Sequence, residues 1–274
     1  MLEIPEALVL SEQVNQTLTG KTVAKVVAAS SPHKFAWFFD DPHQYDSLLR
    51  GRKVDNSAAY GGILEIYLGD AAINLHDGIN LRYHAPDAKM PEKHQLLVEF
   101  TGGDAITVSV AMYGGISCYK GDVYENKYFL VAKEKPAVLS DSFNFDYFLT
   151  LFDDKTVRLS AKAFLATEQR IPGLGNGVLQ DILLNAKIHP KKKMNALSDD
   201  EIKAMFNSVK DTLNQMVTEG GRDIERDLFG NPGGYVTKLC KNTVALACMN
   251  CGGHIKKENY MGGSIYYCME CQQL

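Results

Sequence analysis

Residues 169–190 read QRIPGLGNGVLQDILLNAKIHP and place a glycine-rich turn before a stretch with helical character. Gly173, Gly175 and Gly177 predict a tight turn, because glycine adopts backbone conformations that other residues resist. Backbone amides at the start of the following helix, together with the positive end of its dipole, favour a bound phosphate. Ordinary turn chemistry between two helices is the alternative, so a second motif is needed before a function is assigned.

A second helix follows this turn in the sequence. Residues 198–201 (SDDE) form a capping box, in which serine and glutamate satisfy the free amides at a helix start. The pattern predicts a helix from Glu201 to Glu219, which Gly220 and Gly221 end. Residues 147–243 are therefore predicted to be mainly helical.

Four of the six cysteines follow a metal-binding pattern, C-x2-C-x16-C-x2-C, close to the C-terminus. They are Cys248, Cys251, Cys268 and Cys271. Each pair suits a tight turn that points two thiolates at one tetrahedral ion. Residues 254–257 and 264–267 predict two short strands around Gly262 and Gly263, and such a hairpin would bring the pairs together. Residues 244–274 are thus predicted to be a zinc ribbon with one structural Zn²⁺; disulfide pairing, the alternative, fits a reducing compartment poorly.

The N-terminal half has a different pattern, in which strands follow an opening helix. Alternating apolar residues predict strands at 63–68, 72–76, 96–100 and 106–110. An antiparallel β-sandwich or barrel accounts for this spacing. The chain is therefore predicted to be an α+β multi-domain protein, and its units are 1–131 (strands with the opening helix), 132–146 (linker), 147–243 (helices) and 244–274 (ribbon).

Charge is distributed unevenly along the chain, whose formal net charge is −4. Residues 1–154 hold 13 Lys and Arg against 21 Asp and Glu, whereas residues 155–274 hold 16 against 12. A polyanion is therefore expected to contact the C-terminal half first. No apolar run approaches the ~18 residues of a membrane span and the start resembles no secretory signal, so we expect a cytoplasmic protein without membrane contact.

The order of these motifs resembles the formamidopyrimidine-DNA glycosylase and endonuclease VIII family of base excision repair enzymes. Residues 1–6 (MLEIPE) are similar to the family's opening Met-Pro-Glu-Leu-Pro-Glu. Residues 173–176 (GLGN) followed by 188–190 (IHP) resemble its helix-two-turn-helix signature, and the ribbon lies where the family has its zinc finger. The resemblance covers nearly the whole chain. It implies an N-terminal β-sandwich, a helix-two-turn-helix domain with the ribbon, and double-stranded DNA held between them at a damaged or abasic site.

The resemblance also implies a reaction at the N-terminus. The family's N-terminal proline attacks the anomeric carbon of a flipped damaged nucleotide and forms a Schiff base, while the adjacent glutamate handles protons. Here Leu2 replaces the proline, so Met1 is expected to remain and to carry a displaced primary amine. Met1, Leu2 and Glu3 are the candidate catalytic residues, and the displacement is expected to weaken catalysis. For Glu3, complementing the dipole of the first helix is the alternative.

Several positions at which the family binds DNA differ in this chain. The family's strand lysine has no counterpart between Lys53 and Arg82, where Tyr60 takes its place, and the ribbon arginine falls near Gly263. The residues that fill the gap left by the flipped base fall at Asp77, Met112 and Tyr113. The residues expected to contact DNA are Asn176, Lys162, Arg170, Tyr113 and Lys256. For Asn176, a helix N-cap is the alternative.

Three hypotheses for function follow. The first is damaged-DNA binding in base excision repair with weakened glycosylase and abasic-site lyase activity through the N-terminal amine. The second is a catalytically degenerate protein that binds distorted or abasic DNA. The third is an RNA or ribosome partner, since similar turns and ribbons occur in translation proteins. We expect a monomer that associates with the nucleoid when it is bound to DNA.

Overall fold

An antiparallel sheet occupies the N-terminal half of the chain, as the alternating apolar patterns predict. The computed structural model describes residues 1–121 and 123–274. The elements of the N-terminal domain are α1 (Ile4–Leu18), β1 (Val23–Ala28), β2 (Ala36–Phe38), α2 (Tyr45–Leu49), β3 (Asn56–Tyr60), β4 (Ile63–Leu68), β5 (Ala71–His84), β6 (Leu96–Phe100) and β7 (Ala105–Lys120). The strands are ordered β1-β6-β7-β5-β4-β3, and β2 pairs in parallel with β7.

Two long strands make this sheet a sandwich. The pairing of β5 with β7 shifts between Asp77 and Ile79, and a bulge of this kind bends a strand pair. The first half of β5 pairs with β4, which pairs with β3, whereas the first half of β7 pairs with β6, which pairs with β1. Leu64 from the first layer and Val108 from the second lie in one buried apolar core. The sandwich expectation is confirmed, and the barrel alternative is not needed.

The sequence patterns located the strands only in part. The segments 72–76 and 106–110 are halves of β5 and β7, because the apolar alternation is interrupted where the strands bend. Strands β1, β2 and β3 were not predicted from the sequence. They are short, and none of them has the clean apolar alternation of the other strands.

Helices form the C-terminal domain, as predicted. Helix α3 (Lys127–Glu134) packs on the N-terminal sheet through Phe129, and the elements of the C-terminal domain are α4 (Phe145–Thr150), α5 (Ala161–Ala166), α6 (Asn176–Asn185), α7 (Asp199–Thr218), β8 (Ile255–Tyr260) and β9 (Gly263–Cys268). The capping box at Ser198 and Glu201 is present, so α7 begins close to its predicted start. The predicted linker at 132–146 needs correction: its first residues end α3 and its last two begin α4, while Phe143 is buried in the helical core.

Helix α1 connects the two cores. Its residue Ile4 packs in the helical core, whereas Ala7, Leu10 and Val14 pack in the core of the sandwich. The N-terminus is thereby held at the junction of the domains. No helix in the described residues is long and apolar enough to cross a membrane.

The C-terminal hairpin docks on α6. Strands β8 and β9 pair as predicted, although the turn between them is Met261 and Gly262, one residue earlier than expected. Gln180 on α6 accepts a hydrogen bond from the backbone of Tyr266 at 3.0 Å. Gln272 donates to the carbonyl oxygen of Ile188 at 2.9 Å. These contacts fix the hairpin along α6 and the residues that follow it.

Candidate active site and nucleic-acid interface

A cleft of about 480 Å³ opens between the domains where the N-terminus lies. The first three residues form its floor, Trp37 and Tyr113 form one wall, and the glycine turn at 173–175 forms the other. Gly173 has a φ of +77°, and a side chain there would collide with the backbone of Gly62. Glycine is therefore needed for the turn to pack closely against the sandwich and close the cleft.

The N-terminal amine lies beside a carboxylate that the sequence did not reveal. The amine nitrogen of Met1 is 2.8 Å from Oε1 of Glu225. The backbone nitrogen of Leu2 donates to the carbonyl oxygen of Asp77 at 2.7 Å, and the Leu2 side chain is buried in the sandwich core. Position 2 is therefore a structural anchor, and Met1 lines the cleft while its amine pairs with Glu225.

Glu3 is the N-cap residue of α1, but its side chain caps α6 instead of α1. Its carboxylate is buried and accepts hydrogen bonds from the backbone nitrogens of Gly177 at 2.8 Å and Val178 at 2.7 Å. Burial raises the pKa of Glu3, although Arg222 and the two amides oppose the rise. The expectation that these amides face a phosphate needs correction, because the anion at the positive end of α6 is the protein's own Glu3.

Arg222 is buried behind Glu3 and was not identified from the sequence. Its Nε and Nη2 each donate to the Glu6 carboxylate at 2.8 Å, and its Nη1 lies 3.3 Å from Oε2 of Glu3. Burial lowers the pKa of Arg222, but the carboxylates of Glu3 and Glu6 outweigh burial and the pKa is raised. A side chain at Gly177 would overlap Arg222, so glycine at this position admits the guanidinium.

Two predicted DNA-binding residues meet at the tip of the hairpin. The Nδ2 of Asn176 donates to the carbonyl oxygen of Ser264 at 2.9 Å, and the Nζ of Lys162 donates to that of Tyr260 at 2.6 Å. A Cβ at Gly263 would lie 3.5 Å from the Lys162 nitrogen and 3.8 Å from the Asn176 amide nitrogen. Gly175 occupies the N-cap of α6, so Asn176 is not the N-cap residue.

Both side chains retain donors for a ligand. An amide nitrogen carries two hydrogens and a lysine nitrogen carries three, and each uses one on the hairpin backbone. Burial lowers the pKa of Lys162. Within the described residues, the Oδ1 of Asn176 is buried and has no hydrogen-bond partner. Asn176 and Lys162 therefore form a polar cluster beside Gly263 that is only partly satisfied by the protein itself.

The other predicted DNA contacts lie apart from this cluster. Arg170 is buried and donates to the carbonyl oxygens of Ala163 and Phe164, which gives it a structural role in the turn before α6. Lys256 is exposed on the opposite arm of the hairpin and pairs with Glu258 at 2.9 Å. Contacts of Arg170 and Lys256 with DNA remain predictions.

The aromatic wall contains the predicted Tyr113 and a residue that sequence reasoning missed. The rings of Tyr113 and Trp37 are 6.0 Å apart, and the Tyr113 hydroxyl lies 3.9 Å from the Met1 sulfur. Burial raises the pKa of Tyr113, and the carboxylates of Asp77 and Glu3 add to the rise. The missed residue is Trp37. It is the single tryptophan of the chain, and this is the one sequence signal that could have drawn attention to it.

Two of the positions that differ from the family pattern, Tyr60 and Asp77, line the same cleft. Tyr60, which the sequence analysis placed where the family has a strand lysine, lines the cleft, and its hydroxyl shares a hydrogen bond with the Tyr67 hydroxyl at 2.8 Å. Asp77 has a φ of +65° at the bulge of β5, and its carboxylate lies 2.8 Å from Nδ1 of His76. Met112 is exposed on β7.

The four cysteines of the C-terminal pattern come together and could hold a metal ion. Their sulfur atoms all lie within 4.8 Å of one another. They are free thiols, and the sulfurs of Cys251 and Cys268 are 3.4 Å apart, well beyond the ~2.05 Å of a disulfide. A closed set of four sulfur donors fits a structural metal site.

Comparison with known proteins agrees with this architecture. Residues 135–227 match the model of the formamidopyrimidine-DNA glycosylase H2TH domain. The formamidopyrimidine-DNA glycosylase of Rickettsia peacockii is 25% identical over 278 residues, which cover 99% of each chain. The enzyme from Lactococcus lactis subsp. cremoris is 26% identical over 280 residues, which cover 100% of each.

Solved structures share the fold over the same length. Lactococcus lactis Fpg, in a complex with DNA containing an abasic site, has a TM-score of 0.84 at 23% identity and covers 99% of this chain and 100% of that one. MutM (Fpg) from Thermus thermophilus has a TM-score of 0.80 at 20% identity, with 98% of each chain covered.

The fold of this chain is of the helix-two-turn-helix glycosylase class. That class combines an antiparallel sandwich, a helix-two-turn-helix domain and a four-cysteine hairpin around one cleft. The matched domain lies in the helical half, and the relatives align along the full length. The matched domain, the full-length relatives and the shared fold together support membership of the formamidopyrimidine-DNA glycosylase and endonuclease VIII family.

Proposed function

We propose that this protein binds double-stranded DNA at a damaged or abasic nucleotide and acts in base excision repair. The observation that carries the proposal is the convergence of Asn176 and Lys162 on the hairpin tip, beside the helix whose start holds Glu3. A phosphate at this cluster would place the adjoining nucleotide near the cleft that Met1 faces. Lactococcus lactis Fpg binds DNA containing an abasic site, which supports the same partner here. We infer a monomer that works in the cytoplasm, on the nucleoid.

The four cysteines are proposed to bind one Zn²⁺. When bound, the ion supplies a structural crosslink between the two ends of the hairpin and no reaction chemistry. Cys248 and Cys268 are buried against Leu184 of α6, so the four-cysteine cluster adjoins the surface on which the hairpin packs. The metal would therefore keep the backbone of Tyr260 and Ser264 in reach of Lys162 and Asn176.

Replacing Asn176 with alanine tests the interface. We expect N176A to weaken binding to abasic and mismatched duplexes by a similar factor for every sequence, because a phosphate contact carries no base information. Fluorescence anisotropy of labelled duplexes measures the affinities. We also expect a modest salt dependence, since few phosphates are neutralised.

Asn185 provides the matched control for this variant. It lies at the other end of α6 and hydrogen-bonds Thr212 and Lys238, so N185A loses contacts within the protein without touching the hairpin tip. We expect N185A to bind as the wild type does. Equal affinities of N176A and the wild type would remove Asn176 from the interface.

The N-terminal amine is proposed to support weak lyase chemistry. An unprotonated amine can attack the aldehyde of an opened abasic sugar and form an imine with loss of water. The amine of Met1 first has to lose its proton, and the Glu225 carboxylate at 2.8 Å is placed to accept it. Excision of an intact damaged base needs closer alignment with the anomeric carbon, so we infer that this activity falls far below that of a family enzyme with the N-terminal proline.

Borohydride trapping tests this chemistry. We expect reduction to link the protein covalently to abasic duplex, and we expect selective acetylation of the N-terminal amine to abolish the product while DNA binding persists. Peptide mass measurement locates the linkage. A complex that forms equally well after acetylation would assign the chemistry to a lysine, and rapid excision of an oxidised base would show that Leu2 does not impair catalysis.

A catalytically degenerate DNA-binding protein is the second candidate. The contact of the Met1 amine with Glu225 favours it, because the amine nitrogen is engaged by the protein itself. Binding to abasic duplex without any trapped complex would select this candidate over the lyase.

A further inference from the structure

Trp37 forms an exposed aromatic wall of the reaction cleft. It is the single tryptophan of the chain, and 50% of it is exposed although it lies beside the N-terminus. Strand β2 holds it in parallel pairing with β7, where its partner in the register is Gly115. The second aromatic ring of the wall, Tyr113, is 6.0 Å away and tilted by 48°.

The local structure leaves the indole ring uncovered. Side chains at paired positions of neighbouring strands normally cover one another, but Gly115 has no side chain that could cover Trp37. The space next to Gly115 is filled by His76, whose ring occupies the position that a Cβ of Gly115 would take. Much of the large apolar ring of Trp37 therefore stays in contact with water, and any planar apolar ligand that covers it would gain free energy.

The charges around the cleft select the kind of ligand. Asp77 and Glu168 line it, its lining in the described part of the chain includes no lysine or arginine, and the Met1 amine at its edge is paired with Glu225. A phosphate is disfavoured in these surroundings, whereas a neutral planar base is not. A volume of about 480 Å³ is also within the ~300–1,000 Å³ typical of small-molecule sites.

We propose that Trp37 stacks on the base of the nucleotide that is extruded into the cleft, with Tyr113 as the adjoining wall. This inference rests on the proposed binding of damaged DNA and specifies its substrate class. Every base has a flat face that can stack on an aromatic ring, so the contact favours a nucleotide that still carries its base over a bare abasic sugar. The phosphate contacts at Asn176 and Lys162 are the same for both substrates.

The intrinsic fluorescence of Trp37 reports on this contact directly, because the chain has no other tryptophan. Two duplexes of one sequence are compared, one with an unpaired guanine and one with a tetrahydrofuran abasic site at the same position. Anisotropy of a labelled strand measures binding separately. We expect both duplexes to bind and only the guanine duplex to change the emission of Trp37.

Variants separate stacking from folding. We expect W37L to weaken binding of the guanine duplex roughly tenfold or more and to leave binding of the abasic duplex unchanged, whereas W37F keeps most of the affinity because it keeps a ring. F35L is the control, since Phe35 is 46% exposed nearby but does not line the cleft. We expect F35L to bind both duplexes as the wild type does.

Two results would overturn the inference while leaving the proposed function standing. An equal emission change with the abasic duplex would mean that Trp37 fills the gap in the DNA helix instead of stacking on the extruded base. Binding of the guanine duplex with no emission change would mean that nothing covers the ring. If anisotropy detects no binding of either duplex, the proposed function fails and the inference fails with it.

Discussion

Replacing Cys268 with serine is expected to unfold the C-terminal hairpin and to abolish binding to abasic duplex, while the N-terminal sandwich stays folded. Cys268 is buried in the four-cysteine cluster, and serine is a poor ligand for zinc. The free energy of metal binding in such sites also stabilises the fold, and it amounts to about 10–16 kcal/mol in zinc-finger peptides at neutral pH. Without it, the carbonyl groups of Tyr260 and Ser264 no longer lie beside Lys162 and Asn176, and the proposed phosphate site is lost.

Hydrogen exchange measured by mass spectrometry can follow each part of C268S separately. We expect loss of protection at 244–274 and wild-type protection in the strands of the N-terminal domain. Cys240 supplies the control, because it lies outside the cluster and C240S should keep both the metal and the DNA binding. Metal analysis should give one zinc per chain in the wild type. A native protein with well under one equivalent, or a hairpin that keeps its protection in C268S, would contradict the proposed site.

Replacing Arg222 with methionine should destabilise the junction of the domains strongly. The side chain is almost fully buried and balances two buried carboxylates, Glu3 and Glu6. Removing one partner of a buried ion pair leaves an uncompensated charge and costs about 3–5 kcal/mol. We therefore expect a loss of this size in the free energy of unfolding at pH 7, measured with urea. R226M is the control, because Arg226 is exposed in the same loop and its loss should cost no more than about 0.5 kcal/mol.

The loss in R222M should depend on pH in a defined direction. The folded-state pKa of Glu3 is raised above its ordinary value of 4.5, chiefly by burial. The unfolded chain therefore releases this proton first, so stability falls as the pH rises from about 4.5 through the folded-state pKa. Arg222 opposes the rise, and its removal extends the fall to higher pH.

Comparison of the two proteins at two pH values tests this sign. We expect the deficit of R222M relative to the wild type to be smaller at pH 5 than at pH 7, because protonation neutralises the unpaired carboxylate. A deficit that is equal at both pH values would mean that lost packing, rather than the charge of Glu3, accounts for the destabilisation.

The elements that the sequence predicted well share one property: their signals are local. The capping box at 198–201 and the spacing of the four cysteines each depend on neighbours within a few residues or on one short hairpin. The strands at 63–68 and 96–100 alternate cleanly and were located at their observed bounds. Where β5 and β7 bend, the alternation stops although the strand continues, so only half of each was predicted.

The candidate site was only partly predicted from the sequence, because its contacts join residues that are far apart in the chain. Glu3 was identified as important, but its partners, Gly177 and Val178, are more than 170 residues away in the chain. Arg222 and Glu225 lie in a loop without a recognisable motif and reach the N-terminus only through folding. Trp37 lies on a three-residue strand that no pattern predicted.

The sequence by itself therefore determined the order of the parts: a strand-rich half, a helical half with its glycine turn, a four-cysteine ribbon and a start without the family's proline. Tertiary structure alone decided that Glu3 fills the positive end of α6. It also decided that the Met1 amine pairs with Glu225 and that Trp37 is left uncovered at the cleft. The physical reason is that spacing along the chain encodes helices, strands and metal knuckles, whereas buried charges and exposed rings acquire their partners only when distant segments pack together.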